Sequence, residues 1–94
     1  MSTYTIQPYT IERAKSLGVR VRPSANPKKK VDVLDLKGNV LAAIGDAAYD
    51  DYPTYLATKG KAYADERRRL YLIRHKRDSS VVGTPGFWAA RLLW

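Results

Sequence analysis

Lys30-Val31-Asp32-Val33-Leu34-Asp35-Leu36-Lys37-Gly38-Asn39-Val40-Leu41-Ala42-Ala43-Ile44 sets two apolar runs, Lys30 to Asp35 and Val40 to Ile44, on either side of a short polar break. Gly38-Asn39 supplies residues that tolerate positive φ in a tight turn, so the stretch predicts a β-hairpin. Upstream, Val19-Arg20-Val21-Arg22 alternates with period two, which predicts a strand with one apolar face and both arginines on the other, ended by Pro23. With the hairpin it makes a three-stranded antiparallel sheet whose apolar face needs a helix to cover it. Ser24 to Lys30, with Asn-Pro and three consecutive lysines, reads as the solvated loop between them.

Lys61 to Asp78 has neither glycine nor proline and predicts the longest helix, the natural cover for the sheet. At about 100° per residue, Tyr63, Leu70 and Ile73 fall on one side and Arg68, Arg69, His75 and Lys76 on the other. The first group is expected to pack and the second to face water. Arg67, Tyr71 and Arg74 form an i, i+4, i+7 row along the border, where stems and a ring lie on apolar surface with polar ends in solvent.

Three shorter helices flank these elements. Thr10 is placed to cap a helix from Ile11 to Leu17, with Gly18 as its left-handed end. Asp51 is placed to cap a second, whose first turn holds Pro53 and which Gly60 ends or bends. Thr84-Pro85-Gly86 repeats the pattern ahead of the strongly apolar Phe87 to Trp94. The expectation is an α+β fold: a small antiparallel sheet of two to three strands packed against three to four helices, in one domain over residues 1–94.

Composition limits what such a domain does. The 94 residues include 17 Lys and Arg against 9 Asp and Glu, for a net charge of +8. The cations fall in two blocks: residues 1–30 carry a net +6 and residues 61–78 a net +4, around a middle third at −3. Such a field draws in polyanions without choosing among nucleic acid, anionic membrane and acidic protein. With no cysteine and one histidine, disulfides and thiolate zinc sites are excluded. The N-terminal residues lack the pattern of a signal peptide, and no stretch nears the roughly 20 apolar residues of a membrane span. A non-secreted protein off the membrane is expected, with no cofactor and no metal.

Gly45, Asp51-Tyr52-Pro53, Lys59-Gly60-Lys61, Tyr63-Ala64-Asp65-Glu66-Arg67-Arg68-Arg69-Leu70-Tyr71, Arg74-His75-Lys76-Arg77-Asp78, Gly83 and Leu92-Leu93-Trp94 resemble an uncharacterised family of small basic proteins encoded by large double-stranded DNA viruses of algae and protists. The likeness extends back through Tyr9-Thr10, Ala14-Lys15, Leu17-Gly18-Val19 and Pro23-Ser24, nearly the whole chain. It implies a viral source, a place inside the host cell (cytoplasm or nucleus) or in the virion, and no catalytic residue.

The candidate binding residues are Lys28, Lys29, Lys30, Arg67, Arg68, Arg69, Tyr71, Arg74 and Lys76. Lys and Arg neutralise phosphates and release counterions, arginine forks grip them, and a tyrosine stacks on an unpaired base. Non-specific binding of nucleic acid or another polyanion is the first reading. The same cations also suit a solvated helix face, with Asp65 paired to Arg69. A second class is a minor virion or interaction protein docking on an acidic partner or on neighbouring subunits through Trp88 and Trp94, which requires those rings to be exposed. Asp46, Asp50 and Asp51 are close enough in sequence for a divalent cation, but Asp51 has a capping role and the calcium-loop spacing is absent. Tyr52, Tyr55, Tyr63, Phe87, Trp88 and Trp94 are read as core rather than ligand groove. No Ser/His/Asp, Cys/His or phosphate-loop pattern marks an enzyme.

Overall fold

The computed structural model describes residues 4–94, and its sheet is the one the hairpin predicts. Strands β1 (Arg20–Pro23), β2 (Lys29–Leu34) and β3 (Val40–Asp46) form an antiparallel sheet in the order β1-β2-β3. Val31 pairs with Ile44 and Val33 with Ala42, and Val21 of the edge strand lies opposite Val33, so these side chains share one face. Pro23 does not stop the pairing. It is the last paired residue of β1, opposite Val31, which an edge strand allows. The lysine-rich loop is also shorter than expected, because Lys29 and Lys30 are the first residues of β2.

Helices α1 (Pro8–Leu17) and α5 (Pro85–Leu92) cover the apolar face; α3 (Lys61–Arg74), the longest helix, does not. Ala14 from α1 and Ala89, Leu92 and Leu93 from the C-terminal segment join Val19, Val31, Val33, Ala42 and Ile44 in one core. That core is aliphatic. Of the aromatic residues expected to fill it, only Tyr52 is fully buried, while Tyr63 is 45% exposed and Phe87, Trp88 and Trp94 are half-buried.

The caps explain where the helices begin. Asp51 accepts from the Thr54 amide at 3.0 Å and Thr84 from the Phe87 amide at 3.3 Å, each with a proline in the first turn, starting α2 (Tyr52–Lys59) and α5. Helix α1 departs from expectation: it begins at Pro8, and Thr10 is a buried residue of its first turns whose hydroxyl donates to the Leu92 carbonyl at 2.9 Å. A hydroxyl inside the core needs such a partner, and this one ties α1 to α5.

The stretch expected as one helix to Asp78 is two. Helix α3 ends at Arg74, His75 takes a bridge-region conformation (φ −108°, ψ 20°), and α4 (Lys76–Ser79) follows. The face of α3 is also turned from the expected one. Ala64 is buried and Arg67, Arg68 and Tyr71 are partly so, whereas Leu70 and Ile73 are exposed, Ile73 at 61%. The helix packs mainly on α2 and α4. Stacking of Tyr71 on Trp94 and the contacts of Arg67 with Tyr55 and Arg68 with Tyr52 replace the aliphatic seam that periodicity favoured.

Candidate functional site

One cavity of about 560 Å3 opens where β2 and β3, the loop after β3, α2, α3 and α5 meet. Lys29 lines it from β2, and Arg67, Tyr71, Arg74 and His75 line it from α3 and the residue that ends it. The two basic blocks of the sequence therefore converge on one concave surface. The lining is mixed in charge, because Asp46, Asp50, Asp51 and Asp78 also contribute.

The cations differ in how far they are already engaged. Lys30 is buried, with Nζ 3.1 Å from Asp51 Oδ2, so its charge is answered inside the protein. Arg68 is similarly committed: its guanidinium lies 3.9 Å over the Tyr52 ring, donates to the Tyr52 hydroxyl at 3.2 Å and to the Trp94 carbonyl at 3.3 Å, and is 3.6 Å from Asp65. Arg69 forks onto Glu66, with Nε to Oε2 at 3.1 Å, and this pair replaces the expected one between Asp65 and Arg69. Asp65 instead meets Lys61 Nζ at 2.6 Å and the Tyr52 hydroxyl at 2.8 Å, and these two hydrogen bonds hold its carboxyl below the usual aspartate range.

Lys28, Lys29, Arg74 and Lys76 are exposed and have no carboxylate partner among the described residues. Arg67 is intermediate. Its guanidinium stands 5.8 Å from the Tyr55 ring centroid, and its Nε is buried without any hydrogen-bond partner.

Tyr71 is not open to a base. Trp94 stacks on it at 4.3 Å with the planes 8° apart, and His75 lies at 4.3 Å and 26°, so both ring faces are used. Burial, with the nearby Asp78 charge, pushes its phenol up. The exposed aromatic at the cavity is Tyr49, which is 71% accessible and has no ring partner among the described residues. Nothing in the sequence around Tyr49 pointed to it, because its place at the cavity beside α3 residues depends on the fold.

The acidic stretch is largely occupied by structure. Asp51 caps α2, faces Lys30 and accepts from the Tyr4 hydroxyl at 2.6 Å, and Asp46 accepts from the Ala48 amide at 2.9 Å. Among the described residues no group of three or more His, Cys, Asp or Glu converges to hold a metal ion. None of their helices is long and apolar enough to cross a membrane. Trp88 and Trp94 pack against the core. Comparison with known proteins finds no match: no family model, no curated protein and no solved structure matches the chain.

Proposed function

We propose that this small basic protein binds nucleic acid, or another polyanion, with little sequence selectivity, in the viral setting that its resemblance implies. The observation that carries the reading is the convergence of Lys29 with Arg67 and Arg74 on one cavity, from segments far apart in the chain. Lys28 and Lys76 lie close to those residues in sequence and are exposed, which carries positive charge beyond the cavity. Cations without internal partners can release the counterions of phosphates, whereas Lys30 would first have to break a buried ion pair and Arg68 its contacts with Tyr52 and Trp94. The binding set is therefore narrowed to Lys28, Lys29, Arg67, Arg74 and Lys76. Docking on a protein through α5 has less support, because Trp88 and Trp94 lie against the core rather than projecting as anchors.

The test is fluorescence anisotropy with labelled single- and double-stranded DNA and RNA over a salt series, beside a variant with Lys28, Lys29, Arg74 and Lys76 changed to alanine. Dissociation constants of about 1–100 µM that weaken steeply with salt are expected, with a shallower salt slope in the variant. A folded protein that binds none of these at low salt, or a variant that binds as the parent does, overturns the reading.

A further inference from the structure

We infer that the cavity takes a nucleoside phosphate, with the phosphate on Arg67 and the base on Tyr49. The inference rests on the polyanion reading for the charge of the ligand and adds to it a defined, single-nucleotide site. Its volume of about 560 Å3 is that of a small-molecule pocket, too small for a duplex to enter.

Three features select this ligand. Arg67 lines the cavity with a guanidinium that has no carboxylate partner among the described residues, and its fork geometry fits phosphate oxygens. Tyr49 offers an exposed, unpaired ring at the same cavity, and any base can stack on such a ring. Asp46 and Asp50 stand in the same lining, beside the cations. The same carboxylates accept hydrogen bonds from sugar hydroxyls or exocyclic amines, groups that a nucleotide carries and inorganic phosphate lacks. The mixed lining thus favours a ligand with one anionic end and a neutral, donor-rich body.

The chemistry has two sources, a free nucleotide or an unpaired nucleotide of a strand. The experiment is calorimetric titration of the full chain with AMP, adenosine and inorganic phosphate, followed by competition of short single-stranded oligonucleotides and of a duplex against AMP. AMP is expected to bind at least ten-fold more tightly than adenosine or inorganic phosphate. Y49A should weaken AMP about five-fold or more, as loss of base stacking does. R67K, which keeps the charge and loses the fork, should weaken it as well, and circular dichroism checks that both variants fold. Displacement of AMP by single strands and not by duplex assigns the site to strand-borne nucleotides; AMP binding that no strand displaces assigns it to the free nucleotide. Inorganic phosphate binding as tightly as AMP, or Y49A binding AMP as the parent does, overturns the inference, even where oligonucleotides bind elsewhere on the basic surface. Retained AMP binding with no oligonucleotide binding at low salt overturns the polyanion reading alone.

Discussion

Lys30 Nζ lies 3.1 Å from Asp51 Oδ2, with the lysine side chain 7% and the aspartate side chain 1% accessible. The pair joins the start of strand β2 to the cap of α2, and the Tyr4 hydroxyl closes it from the N-terminal segment at 2.6 Å. Two charges out of water are stable only as a pair with their remaining bonds filled, and here the Thr54 amide and Tyr4 fill those of Asp51. The same carboxylate thus starts a helix and neutralises a strand.

Removing either partner should have unequal effects. Asp51→Ala strips the cap and leaves Lys30 buried and uncompensated, so a loss of about 3–5 kcal/mol is expected. Lys30→Met leaves Asp51 with the Thr54 amide and the Tyr4 hydroxyl, and should cost clearly less. Urea unfolding of both variants measures the difference; equal losses would show that the ion pair, not the cap, dominates.

Gly45 should tolerate alanine far less well than Gly18. Both have positive φ, 78° and 72°, which costs a non-glycine residue about 1–3 kcal/mol. A Cβ on Gly45 would also sit 2.7 Å from Leu93 Cδ1 and 3.2 Å from the Lys30 stem, whereas one on Gly18 meets nothing within 4 Å. Gly45→Ala is therefore expected to lower the melting temperature by more than Gly18→Ala, and a reversed order in a thermal melt would contradict the close approach of Leu93 to the sheet.

The hairpin turn carries a pH signature. Asn39 donates to Asp35 through its side chain at 3.0 Å and its amide at 2.9 Å, and the Lys37 amide adds a third bond, so the Asp35 carboxyl is held below the usual range. A depressed folded pKa contributes stability that is complete above the unfolded value and is lost as pH falls through the folded one. The turn should therefore loosen only in acid. Asn39→Ala removes the largest cause, and NMR titration of the Asp35 carboxyl should find it returned toward the ordinary value.

The hairpin and the Asp51 and Thr84 caps were legible in sequence because each depends on neighbours within a few residues. The orientation of α3 was not. Periodicity favoured burial of Leu70 and Ile73, but the core was completed by Leu92 and Leu93, and α3 was left to dock through Tyr71 against Trp94. No local pattern encodes a contact between residues so far apart, and the same holds for the meeting of Lys29 with Arg67 at the cavity. The cations themselves were visible in the sequence; which of them are spent on Asp51, Tyr52 or Glu66 depends on the fold.

The Tyr71 and Trp94 rings, stacked at 4.3 Å, supply the test of that docking. Trp94 also carries the backbone oxygen that accepts from Tyr9 at 3.2 Å and from Arg68, so this residue holds α1 and α3 together through its backbone as well as its ring. Only the ring is changed by Trp94→Ala. A double-mutant cycle with Tyr71→Ala isolates the stacking from the backbone bonds and from simple loss of area. A coupling energy of about 0.5–1.5 kcal/mol is expected for such a pair. A coupling near zero would mean that the rings are independently placed and that α3 is held by Arg68, whose replacement by alanine would then give the larger loss.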